Sequence, residues 1–144
     1  MLLIDASVIV GILAQKEDGE MLMDRLELHG GPYYVSPVVR MEATLSLTRQ
    51  LTGPNKPATP ETLDRARNMV EQFIADLDCK EALIFGDVGS KAYDAARQFG
   101  AIVNHPADLN MGDCFAYACA RSYRLTIAYK GNNFTHTDLG WPSH

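Results

Sequence analysis

No apolar run in this chain approaches the ~20 residues that a membrane span requires. The first residues carry no basic cluster, and Asp5 breaks the opening apolar stretch, so a secretory leader is not expected. Cysteine is scarce. Cys79, Cys114 and Cys119 form no CxxC pair and are odd in number, which argues against a disulfide framework and fits a reducing cytoplasm. His29, His105, His136 and His144 are scattered without ligand spacing, so nothing suggests zinc. Positive charge is also short, with 13 Lys and Arg against 18 Asp and Glu and a net charge of -5. That balance excludes a broadly basic nucleic-acid-coating surface, but not a local groove or a metal that reverses the local sign. There is no internal repeat and no low-complexity tract. What remains is a 144-residue chain, 47% hydrophobic, which is the composition of a globular protein. One domain over 1–144, soluble and cytoplasmic, is the expectation.

The pattern along the chain alternates short apolar strands with helices. Residues 1–5 read as a buried strand, followed by a helix from Ser7, its cap, to about Gln15. A second helix is expected over Gly19–Leu28, with Met21, Leu22 and Leu26 inward and Gly30–Gly31 as its stop. YYVS (33–36) reads as a strand, and Ser36–Pro37 as the cap and first turn of a helix through RMEATLSLTRQL. TGPNKPATP (52–60) is a surface loop. Thr59-Pro60-Glu61 starts another helix, with a stripe of Leu63, Ala66, Met69, Val70, Phe73, Ile74 and Leu77. KEALIF (80–85) is expected as a third strand, then a helix capped by Asp87 and ended by Gly100. Asn110 caps a helix through Tyr123 that is apolar nearly all round, and LTIAY (125–129) is the fourth strand. The expected architecture is a three-layer, Rossmann-like α/β/α domain with a central, mostly parallel sheet.

In such sheets ligands sit beyond the carboxyl ends of the strands, at the switch point. Asp5 ends the first strand there. Glu42 follows the second strand in an apolar setting, and Asp113 lies in the first turn of the central helix. Asn132, Asn133 and Asp138 crowd the turn after the fourth strand. Each acid has a structural alternative. Asp5 could cap the next helix, Glu42 could pair with Arg40 or Arg49, and Asp113 could simply complement a helix dipole. Together they put three carboxylates at one end of a sheet.

Four pieces carry a resemblance: LLIDASVIV, VVRMEAT, LNMGDCFAYACA and YKGNNFTHTDL. In this order and spacing they resemble the PIN domain, and specifically the VapC-type toxin ribonucleases of bacterial toxin–antitoxin pairs. They span almost the whole chain, and MGDCFAYACA followed by KGNNF is the more specific part. The resemblance implies a metal-dependent endoribonuclease in which Asp5, Glu42 and Asp113 are the catalytic acids and hold the divalent ion. A fourth acid usually stands where this chain has Asn133, a departure from the pattern; Asp138 is a candidate substitute. The resemblance also implies a homodimer, an RNA substrate and a small VapB-like antitoxin that occludes the site.

The chemistry agrees. Crowded carboxylates repel, and a hard cation such as Mg²⁺ or Mn²⁺ relieves that repulsion and suits all-oxygen ligands. Such an ion lowers the pKa of bound water and holds a phosphodiester for in-line attack. Ser7 and the first helix amides could orient the ligand, and Lys130 and Arg40 could meet flanking phosphates. Three rivals are weaker or test differently. A phospho-receiver wants a second acid beside Asp5, where this chain has Ile4 and Ala6. A haloacid-dehalogenase-type phosphatase needs an aspartate where Ser7 stands. The third is a metal-weakened domain, with Asn133 for an acid, that acts as an antitoxin-binding module.

Overall fold

The opening apolar run becomes strand β1, Leu2–Ile4, whose three side chains are fully buried. In the computed structural model, which describes residues 1–142, β1 is a central strand of a four-stranded sheet ordered β3-β2-β1-β4. The other strands are β2 Tyr33–Val35, β3 Lys80–Glu81 and β4 Thr126–Ala128. Every pairing is parallel, with Leu3 opposite Tyr34 on one side and Ile127 on the other. Gly140 adds a one-residue parallel bridge to Ile127 beyond β4. His144 lies outside the described residues.

Among the described residues six α-helices connect the strands and flank the sheet: α1 Ala6–Leu13, α2 Gly19–His29, α3 Pro37–Thr52, α4 Pro60–Asp76, α5 Gly86–Phe99 and α6 Met111–Tyr123. Their starts are written in the sequence. Ser36 Oγ accepts from Val39 N–H and Thr59 Oγ1 from Thr62 N–H, each ahead of a proline in the first turn. Helix α5 packs on α6, α4 on α3, and α1 on both α2 and α3. One apolar cluster runs through the strands and the inner helix faces. Each fully buried Leu, Ile or Val in it contributes roughly 1.5–3 kcal/mol. Among the described residues no helix is long and apolar enough to cross a membrane.

Several sequence expectations are corrected. The cap of α1 is Asp5, two residues before the expected cap Ser7, which lies inside the helix. Met21 is 59% exposed, while Leu22 and Leu26 are buried as expected. Leu63, expected in the inner stripe of α4, is partly exposed, whereas Ala66, Val70, Phe73 and Ile74 are buried. KEALIF yields only two strand residues. After Ala82 N–H bonds to Val35 C=O, the ladder ends, and Leu83 N–H donates instead to Tyr123 Oη. Helix α5 consequently starts after Phe85, and Asp87 sits in its first turn without capping it.

This topology positions a site. From β1 the chain proceeds to β2 and β3 on one side and returns to place β4 on the other. The carboxyl end of β1 is therefore the point at which strand order reverses, where open α/β sheets bind ligands.

Candidate active site

Asp5 and Asp113 are the only buried carboxylates among the described residues, 7% and 9% exposed. Burying a carboxylate without compensation is costly, so the partners of each decide what it can do. Asp5 N–H donates to Ala128 C=O, which locks the β1 terminus to β4. Asp5 Oδ2 accepts from Ser7 N–H at 3.1 Å and from Ser7 Oγ–H at 2.5 Å. Ser7 Oγ in turn accepts from Lys130 N–H at 3.0 Å, so one serine joins the start of α1 to the loop after β4.

Asp113 lies in a capping box. Asn110 Oδ1 accepts from Asp113 N–H, and Asp113 Oδ2 accepts from Asn110 N–H. Asp113 Oδ2 also accepts from Asn133 Nδ2 at 2.9 Å. The amide at the fourth position thus neutralises part of the charge on Asp113 where a second acid would repel it.

Glu42 differs from both. It projects from α3 across the first turn of α6, against Gly112, and its Oε1 is buried without a hydrogen-bond partner. Such an orphan is rare in a folded protein and asks for a ligand. Burial first, then the charges of Asp5 and Asp113, push its pKa up to about 7. Desolvation likewise raises Asp5, with Asp113 adding to it against the opposing Ser7 hydrogen bonds. Glu42 thus feels the charge of both aspartates, and Asp5 that of Asp113. None of the three forms an ion pair among the described residues.

Other expected members are elsewhere. Asp138 turns away to α6, where it accepts from Tyr117 Oη–H at 2.6 Å and pairs with Arg121 at 2.7 Å. Burial works against its charge, but these two donors outweigh it and hold its carboxyl below the ordinary value. Lys130 is tied to Asp18, and Arg40 to Glu71 and Glu81, so neither is free toward a phosphate. A cavity of about 620 Å³ between α5 and α6 is lined mostly by apolar side chains and reaches the start of α6 at Asn110, Met111 and Cys114.

Among the described residues, no group of three or more His, Cys, Asp or Glu side chains stands in a geometry that could hold a metal ion. The donors nevertheless suit a hard divalent cation. The hydrogen bonds from Ser7, Asn110 and Asn133 fall on Oδ2 of the two aspartates, and Glu42 adds its unpartnered Oε1. All are oxygens, which favours Mg²⁺ or Mn²⁺ over zinc. The residue that sequence reading missed is Gly112. Its only signal was a glycine in the first turn of an otherwise apolar helix.

The raised pKa of Glu42 has a consequence for stability. Its ordinary value is 4.5 and its folded value about 7, so the folded protein holds this proton more tightly. The stabilisation is complete below pH 4.5 and is lost as pH rises through about 7. Discounted for partial exposure, it amounts to about 1–2 kcal/mol. In metal-free protein at pH 8, Glu42→Gln is expected to raise the melting temperature by roughly 3–6 °C, and the gap should close by pH 5. Thermal melts of both proteins across that range check this. A constant offset would show that Glu42 charge is not what strains the site.

The PIN domain family model matches residues 2–139. A VapC ribonuclease from Rhizobium meliloti (strain 1021) is 43% identical over 142 residues, covering 97% of this chain and all of that protein. Ribonuclease VapC42 of Mycobacterium tuberculosis (strain H37Rv) is 28% identical over 140 residues, 96% of each chain. Among solved structures, the fold matches M. tuberculosis VapC20, a Sarcin-Ricin loop cleaving toxin, with TM-score 0.71, 13% identity and 96% coverage of both chains. It also matches a chain of a toxin–antitoxin complex from Klebsiella pneumoniae, with TM-score 0.68, 12% identity and coverage of 100% and 98%.

Proposed function

The chain belongs to the PIN-domain family, and from that premise we propose that it is a VapC-type endoribonuclease toxin that requires Mg²⁺ or Mn²⁺. The observation that carries this reading is the buried, unpartnered Glu42 Oε1 beside two buried aspartates that, among the described residues, no cationic side chain neutralises. Asp5, Glu42 and Asp113 would hold the ion, with Asn133 beside Asp113 as a neutral fourth member. Bound there, such an ion would relieve their repulsion and supply Lewis acidity for phosphodiester hydrolysis.

The chain's own residues prepare that site. Ser7 fixes the Asp5 carboxylate through two hydrogen bonds and is itself oriented by Lys130 N–H. The capping box fixes Asp113. Glu42, with a pKa pushed up to about 7 in the metal-free protein, would give up its proton as its Oε1 takes the ion, so ion uptake near neutral pH would release a proton. The three carboxylates repel free anions, so the substrate phosphodiester binds only as the cluster is neutralised. The likeness to VapC proteins and to a toxin–antitoxin chain supports a small antitoxin as partner, and a homodimer is part of the same proposal.

The alternative is a weakened PIN domain that binds an antitoxin without cutting RNA, and the Asn133–Asp113 hydrogen bond favours it, since it offsets part of the repulsion without an ion. The two separate in one assay. EDTA-stripped protein should leave a fluorogenic RNA intact, and Mn²⁺ or Mg²⁺ should restore cleavage. No cleavage at saturating metal would exclude the nuclease and leave the binding module.

A further inference from the structure

We propose that Gly112 is a positioning residue: its missing side chain is the space that lets the Glu42 carboxylate lie across the first turn of α6, beside Asp113 and Asp5. A Cβ built on Gly112 would fall 1.9 Å from Glu42 Oε2, 2.3 Å from Cδ and 2.7 Å from Oε1. Real Cβ atoms do not approach others within 3.0 Å. A side chain at position 112 and the observed Glu42 carboxylate therefore exclude each other.

The backbone does not require glycine here. Gly112 is the second residue of α6 and is not in a left-handed conformation, so alanine would be the better helix former. The other helical glycines make a contrast. Gly86 and Gly89 in α5 have nothing within 4 Å, and Gly11 in α1 makes room for the Leu22 side chain. Among the described glycines, Gly112 alone makes room for a charged group. It brings together two acids that reach the site from separate elements, Glu42 from α3 and Asp113 from the very next position of α6. The same close approach shuts Glu42 Oε1 away from water and leaves it unpartnered. A glycine that weakens a helix start is thereby exchanged for a defined place for the third carboxylate.

The inference rests on the proposed metal site for its functional readout and on geometry alone for its structural one. Four proteins are compared: native, Gly112→Ala, Glu42→Ala and the double variant. In native background, Gly112→Ala should weaken Mn²⁺ binding, measured by calorimetry, by about 10–100-fold. In the Glu42→Ala background it should cost nothing further, because the group it displaces is gone. Equal losses in both backgrounds would mean that Gly112 acts through Asp113 or the helix, and no loss in either would leave it no role; both overturn the proposal. A second readout needs no metal. The EDTA-treated crystal structure of Gly112→Ala should show the Glu42 carboxylate displaced from α6, and a carboxylate in its native place overturns the proposal whatever Mn²⁺ does. If Gly112→Ala alone does not fold, the double variant should fold and melt at or above Glu42→Ala. Failure of both variants to fold would instead assign Gly112 to the core. Absence of Mn²⁺ binding by the native protein would contradict the metal reading and leave the structural readout standing as the test of Gly112.

Discussion

Asp5→Asn is expected to abolish RNA cleavage while leaving the melting temperature unchanged or higher. The two effects separate because Asp5 has two jobs that depend on different properties. As the cap of α1, it uses an oxygen to accept from Ser7 N–H and Oγ–H, and asparagine caps a helix as well as aspartate does. As a buried acid beside Asp113, it contributes a charge that burial and repulsion already disfavour, which is why its pKa is raised. Asparagine keeps the oxygen and removes the charge. The folded protein therefore loses a strain and keeps its cap, and the gain should lie between zero and about 5 °C. The proposed metal site loses one of its three carboxylates. Replacement by alanine would confuse the outcome, since it also removes the cap at about 1 kcal/mol. A fluorogenic RNA assay beside a thermal melt reads both jobs. Retained cleavage with a large fall in melting temperature would reduce Asp5 to a capping residue.

Asn133→Asp should act in the opposite direction on the two observables. In the native protein Asn133 Nδ2 donates to Asp113 Oδ2. Aspartate would replace that donor with a second negative charge against a buried carboxylate. Without metal the variant should be less stable by about 1–2 kcal/mol, the cost of a lost charge-assisted hydrogen bond. With Mn²⁺ present, the added charge becomes an asset, and binding should tighten by about 10–100-fold with a matching rise in RNA cleavage at limiting metal. Asp138 cannot stand in for it, because Tyr117 and Arg121 hold that carboxylate on α6. Paired Mn²⁺ titrations of the two proteins check this. Equal affinities would show that position 133 lies outside the metal's reach.

The parts of the fold that could be read from the sequence were those with local causes. Ser36–Pro37, Thr59–Pro60 and Asn110 announce their helices because a side chain, a proline ring and a neighbouring amide suffice to start one. Asp5 and Asp113 carry local signals, a strand end and a helix start, whereas Glu42, inside α3, stands out only by its apolar neighbours. Misreadings arose where a distant partner decided. Ser7 looks like a cap, but Lys130 and Asp5 engage its hydroxyl from both sides. Leu83 has the right chemistry for a strand, yet Tyr123 from α6 takes its amide. Asp138 is near Asn133 in sequence, and Arg121 draws it to a different place. Gly112 carries no chemistry of its own, so its part in the site is visible only once Glu42 is seen lying against it.

The central claim is that Asp5, Glu42 and Asp113 together hold a divalent ion. A crystal of the native protein soaked in Mn²⁺ tests it most directly. The expected result is an anomalous peak within bonding distance of all three carboxylates, close to Glu42 Oε1 and Asn133. An empty cluster at saturating Mn²⁺, or a peak ligated by other residues, would contradict it.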